Sequence, residues 1–101
     1  MRFGLTEETL RKIKTIFSKF PDVEEVVLYG SRAKGNYKPG SDIDLTMKGN
    51  ISHSTLLSIR ALFDESTLPY AVDLSIFNRI SNTDLIDHIR RVGVLVYKKL
   101  I

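Results

Sequence analysis

Behind Thr6, apolar residues fall at helical spacing: Leu10, Ile13, Phe17 and Phe20 line one side, and Glu7 and Glu8 occupy the first turn. A threonine N-cap, with acids at the helix's positive end, predicts a helix starting there. Pro21 ends it, since proline lacks an amide hydrogen and restricts the residue before it. Residues 23–29, Val-Glu-Glu-Val-Val-Leu-Tyr, read as a strand whose second half is apolar on both faces. That pattern belongs to a strand central in its sheet. Residues 30–41 are rich in turn formers, with Pro39-Gly40 suited to the middle of a type II turn. Asp42 to Met47 then alternates polar and apolar without a break, as a half-buried strand does.

Ser52 is placed to cap a second helix running to about Ser66, with Leu56, Ile59, Leu62 and Phe63 on its buried side. Residues 70–77 form a further strand, and Ser81 is the expected cap of a short helix carrying Leu85, Ile86, Ile89 and Val92. Gly93 suits the left-handed position that closes such a helix, and Val94 to Tyr97 make a last strand. The order is helix, strand, loop, strand, helix, strand, helix, strand, with no repeat or linker. It predicts a single α/β (α+β) domain over residues 1–101, with a small mixed sheet and helices mainly on one face. Strands 42–47 and 70–77 are compatible with a parallel pair joined by the second helix.

At 101 residues there is room for one domain. No apolar run approaches the roughly 18–20 residues of a membrane span, and the start lacks a signal-peptide pattern, so a cytoplasmic protein is expected. The absence of cysteine excludes disulfides, thiolate zinc sites and cysteine nucleophiles. A net charge of +3 does not by itself make a nucleic-acid binder. The basic residues are dispersed except for Arg32, Lys34 and Lys38, which suit phosphates. Arg90, Arg91, Lys98 and Lys99 read as a solvated face, and a partner or RNA contact is the alternative.

The segment from Tyr29 to Leu45 carries the chemistry. On a strand, Asp42 and Asp44 share a face with Cα atoms roughly 6.5–7 Å apart, while Ile43, Leu45 and Met47 take the other. Two such carboxylates repel unless a proton or cation intervenes, and oxygen-only ligands favour a hard cation such as Mg²⁺. A bare D-x-D is equally what two solvated aspartates on an exposed strand look like. Asp73 narrows the choice. It sits mid-strand, where aspartate is disfavoured, opposite in facing to Val72, Leu74 and Ile76. If the two strands are adjacent and alike in direction, Asp73 joins the first pair. The trio could then hold two Mg²⁺ roughly 3.5–4 Å apart. Gly30-Ser31 follows a strand directly, where a helical turn would present free amide groups to an anion. His53 and His88 lie far apart in sequence and read as surface or capping residues, and Tyr29 and Tyr97 as packing residues.

Gly30-Ser31, ten intervening residues, Asp42-x-Asp44 and a later strand aspartate together resemble the DNA polymerase β nucleotidyltransferase superfamily. The string GSRAKG…SDIDL is similar to its minimal nucleotidyltransferase branch in prokaryotes. The resemblance implies metal binding and catalysis by Asp42, Asp44 and Asp73, with Asp73 assisting deprotonation of the acceptor. It implies phosphate binding by Gly30 and Ser31. Arg32 lies at a position often basic in the branch, as a phosphate contact or a structural ion pair. It further implies Mg²⁺ and ATP or another nucleoside triphosphate. Members of this branch pair with a helical HEPN-type toxin as its antitoxin, in some cases adding AMP to a tyrosine. The competing expectations are a catalytically weak module that neutralises its partner by occlusion, and a nucleic-acid-binding accessory domain.

Overall fold

The computed structural model describes residues 1–100. Helix α1, Glu7–Ser18, opens at Thr6, whose hydroxyl accepts the Thr9 amide at 3.1 Å, and buries Leu10, Ile13, Ile16 and Phe17. Strand β1, Glu25–Tyr29, leads straight into a five-residue helix α2, Gly30–Lys34. Strand β2, Ile43–Lys48, follows the loop. Helix α3, His53–Glu65, is capped by Ser52 as expected and connects β2 to strand β3, Val72–Ile76. A 3₁₀ turn at Phe77–Arg79, helix α4 (Thr83–Val92) and strand β4 (Val94–Lys98) complete the chain.

The sheet order is β3-β2-β1-β4. Strands β2 and β3 are parallel, as the α3 connection requires, and β1 runs antiparallel to both β2 and β4. This is the small mixed sheet that the alternation of elements implied. Strand β1 is internal, which explains why its second half is apolar on both sides. One face carries Val26, Leu28, Ile43, Leu45, Met47, Leu74 and Ile76 and packs against α1 and α3. Phe17 of α1 meets Phe63 of α3 edge-on at 5.5 Å over that face. The other face packs Val27 and Tyr29 against Ile89 of α4, with Phe77, Ile80 and Leu85 at the margin. Among the described residues no helix is long and apolar enough to cross a membrane.

Three local expectations are corrected. Asn82, not Ser81, caps α4: its side-chain oxygen accepts the Asp84 and Leu85 amides at 2.9 and 3.1 Å. Gly93 is extended (φ −61°, ψ 143°) rather than left-handed. It is needed for closeness, because a Cβ there would collide with the Ile89 carbonyl and with Val27. Pro39-Gly40 does form a turn, closed by the Ser41 amide on the Lys38 carbonyl at 3.0 Å. Gly40 is absent from the positive-φ glycines, so the turn is not of type II.

Candidate functional site

The site is assembled by sheet register. Asp44 of β2 stands beside Asp73 of β3 in the parallel ladder, and opposite Tyr29 of β1 in the antiparallel one. Neighbouring strands lie about 4.8 Å apart, so the two aspartates occupy adjacent places on one face. Asp42 lies just ahead of β2, exposed, two residues before Asp44. Of the three carboxylates predicted to converge, two are direct neighbours and the third flanks them. Among the described residues no three such side chains approach closely enough to form a ready-made metal cage.

Electrostatics nonetheless couples the group. Burial pushes the Asp44 carboxyl above its ordinary value of 3.8, repulsion from Asp73 and Asp42 pushes it further, and His88 pulls the other way. Burial likewise raises the Tyr29 phenol beside them; the nearby Ser75 hydroxyl acts the other way, and the Asp73 and Asp44 charges add to the rise. A carboxylate whose charged form is opposed by burial and by neighbouring carboxylates is a place where a cation is electrostatically welcome. The donor set, carboxylate oxygens alone, fits a hard ion of the Mg²⁺ kind.

Gly30 closes the site on its third side. The chain turns at a φ of +75°, and a Cβ there would run into Asp44 Oδ2. Glycine is therefore required twice, by the backbone and by the carboxylate against it. Ser31 is next, half-buried, at the start of α2. Its carbonyl accepts the Gly35 and Asn36 amides at 2.9 and 3.2 Å, with Gly35 left-handed at φ 92°.

Arg32 does something other than meet phosphate. It is 2% exposed, with Nε and Nη2 donating to the Ser41 carbonyl at 3.1 and 2.8 Å and Nη1 to the Phe3 carbonyl at 2.9 Å. The Tyr37 and Tyr70 rings flank the guanidinium at 5.2 and 4.7 Å. No carboxylate lies within ion-pair distance of it among the described residues, so the ion-pair alternative is corrected as well. Arg32 ties the N-terminal turn, where Phe3 takes an unfavourable φ of 57°, to the residue preceding Asp42. Arg32→Met leaves both carbonyls without their donors, and unfolding free energy in urea is expected to fall by about 2–4 kcal/mol. Lysine at this position cannot reproduce the fork and recovers little of the loss. Nucleotide affinity of the folded fraction should stay unchanged; a selective loss of affinity in a fully folded variant would restore the phosphate reading.

Sequence reasoning missed His88. Its Nε2 accepts the Gly30 amide at 3.0 Å, and its ring stands edge-on to Tyr29 at 6.2 Å. A signal existed: His88 lies three residues after Leu85 and four before Val92, inside the apolar stripe of α4. Thr46 and Ser75 were also overlooked. They are register neighbours one step further along the same face, and their buried hydroxyls have no partner among the described residues. His53 is exposed, and Tyr29 and Tyr97 pack as expected. Arg91 pairs with Asp87 at 2.8 Å on the exposed side of α4, a solvated contact worth about 0.3–0.5 kcal/mol. A groove lined by Arg11, Lys14, Lys98 and Lys99 lies between α1 and β4, far from the carboxylates. Lys98 pairs with Glu25 at the opposite end of β1 from Tyr29.

The mixed sheet carries carboxylates on adjacent strands beside a Gly-Ser turn, and similarity to known proteins makes the chain a nucleotidyltransferase. The chain belongs to the Polymerase beta, Nucleotidyltransferase family, which it matches over residues 11–100. It is 33% identical over 100 residues to a Haemophilus influenzae protein named "Probable protein adenylyltransferase MntA", covering 97% of this chain and 87% of that one. Among solved structures, a toxin–antitoxin with AMP-PNP superposes with a TM-score of 0.73 at 20% identity, over 89% of this chain and 73% of the other. A second, the tri-AMPylated Shewanella oneidensis HEPN toxin in complex with its MNT antitoxin, gives 0.66 at 18% identity, over 89% and 70%. At these identities the structures establish the shared fold.

Proposed function

We propose that this chain transfers a nucleoside monophosphate, AMP from ATP, onto the hydroxyl of a tyrosine in a helical HEPN-type partner, and so acts as that toxin's antitoxin in the cytoplasm. The observation that carries the reading is the register pairing of Asp44 with Asp73 against Gly30. The names borne by the Haemophilus relative and the Shewanella complex supply the substrate and partner classes.

Asp42, Asp44 and Asp73 would hold Mg²⁺, which when bound supplies charge neutralisation for the triphosphate and lowers the pKa of the acceptor hydroxyl. Asp73, which is exposed, would assist by taking the acceptor's proton. Gly30 admits a phosphate close to the backbone, and Ser31 offers its hydroxyl and amide to the oxygens beyond the α-phosphorus. The acceptor oxygen attacks the α-phosphorus in line, its bond to the proton breaks, and pyrophosphate leaves. Most of the rate comes from positioning and charge stabilisation. An open rim suits an acceptor carried by another polypeptide.

Incubation with Mg²⁺, α-labelled ATP and a HEPN-type partner is expected to label the partner, and removal of Mg²⁺ by chelation to abolish labelling. Label arriving from the γ-position would mean kinase chemistry and end the proposal. If a double variant, Asp42→Asn with Asp44→Asn, neutralises the partner as well as the parent chain does, occlusion is the better account.

A further inference from the structure

We propose that His88 is a positioning residue: by accepting the Gly30 amide hydrogen, it sets the spacing between the Gly30–Ser31 turn and the Asp44 carboxylate. This rests on the transfer activity proposed above and adds to it a residue on an element that the motif does not include.

The turn has little to hold it otherwise. β1 ends at Tyr29, the backbone swings to φ +75° at Gly30, and α2 lasts only five residues. A helix of that length has no stability of its own. Its neighbour leaves little slack, because Asp44 Oδ2 stands where a Cβ on Gly30 would fall. A shift of the turn in one direction strikes the carboxylate, and in the other it opens a gap between Ser31 and the aspartates. The 3.0 Å bond from the Gly30 amide to His88 Nε2 spans 58 residues of sequence and fastens the turn to α4.

α4 is a firm anchor. Asn82 caps its start by accepting hydrogen bonds from two backbone amides, and Ile89, adjacent to His88, is buried against Val27 and Tyr29 of the central strand. The imidazole is held by contact with the Tyr29 ring. Acceptor, ring neighbour and helix are thus all referred to the strand from which the turn departs.

The test compares H88L, which keeps bulk but removes the acceptor, with H88Q, whose Oε1 lies the same four bonds from Cα as Nε2. Binding of Mg²⁺ with α,β-methylene-ATP is measured by calorimetry on the full chain, with thermal midpoints alongside. H88L is expected to bind about 10- to 100-fold more weakly, the usual cost of losing a group that orients a metal ligand's surroundings. H88Q is expected to recover most of that affinity at the same midpoint as H88L. Equal affinities for H88L and the parent, or an equal loss in H88L and H88Q, would overturn the inference. Should H88L not fold, H88N, whose acceptor falls one bond short, takes its place.

If the parent chain does not bind the nucleotide, the proposed function fails, and the positioning role is read separately in the Gly30 amide. Its proton resonance is expected downfield and slow to exchange in the parent and H88Q, and upfield and fast in H88L. An unchanged resonance in H88L would refute the contact.

Discussion

Asp44→Asn is expected to abolish nucleotide transfer, by about 10³-fold or more, and at the same time to make the metal-free protein more stable. The first effect follows from the loss of a charged ligand at the centre of the site; 10³-fold is about 4 kcal/mol of transition-state stabilisation. The second follows from the neighbours. Two unit charges about 5 Å apart repel by about 0.8 kcal/mol in water and about 3 kcal/mol at the effective dielectric of a protein surface. Asp44 faces Asp73 across one strand spacing and Asp42 along its own chain, and it is partly solvated. A gain of about 1 kcal/mol is therefore expected, or about 4–8 °C in thermal midpoint for a domain of this size.

The pH dependence separates this from a generic stabilisation. The Asp44 pKa is higher in the folded chain than its ordinary 3.8. Between those two values the folded state binds more proton than the unfolded one, so stability falls as pH rises through the folded pKa. The stability associated with Asp44 is full below about 3.8 and lost above the raised value. The advantage of Asp44→Asn should be absent at the acid end of that window and grow as pH rises. Thermal melts of both chains in chelator across the window check it. A constant difference at every pH would mean that charge repulsion at Asp44 is not the cause.

Gly30→Ala is expected to damage transfer strongly for the addition of a single methyl. An L-residue held at φ +75° costs about 1–2 kcal/mol before any contact is counted. The new Cβ would also overlap Asp44 Oδ2, so the carboxylate or the turn must move. Displacement of reacting groups by about 1 Å costs on the order of 100-fold in rate. The expected outcome is a folded protein, less stable by about 2 kcal/mol, with transfer reduced about 100-fold. Gly35→Ala is the control, since it shares a positive φ but meets no atoms within 4 Å. It should lose comparable stability while keeping its activity. Equal activities for the two variants would show that the Gly30–Asp44 contact does not matter.

The residues that the sequence exposed are those whose placement depends on local periodicity. Alternation along β2 and β3 put Asp44 and Asp73 on the faces opposite Leu45 and Leu74, and burial of those leucines agrees. Thr6 and Ser52 were legible as caps because capping is a contact over three residues. The cap of α4 slipped by one, since Ser81 and Asn82 are both good caps and only the packed helix chooses between them.

Composition and spacing alone determined the order of the strands and longer helices, the mixed sheet, the central character of β1, and the Gly30-Ser31 and Asp42-x-Asp44 pattern, because each is a short-range property of the chain; the short helix α2 in the 30–41 segment and the 3₁₀ turn after β3 were not among the expected elements. Tertiary structure alone decided the rest: that Asp73 stands beside Asp44, that Arg32 turns inward to grip Phe3 and Ser41, and that His88 reaches back to Gly30. Asp73 lies 29 positions from Asp44, Arg32 lies 29 from Phe3 and 9 from Ser41, and His88 lies 58 from Gly30. No local rule fixes which side chains meet across such distances; sheet register and helix packing do.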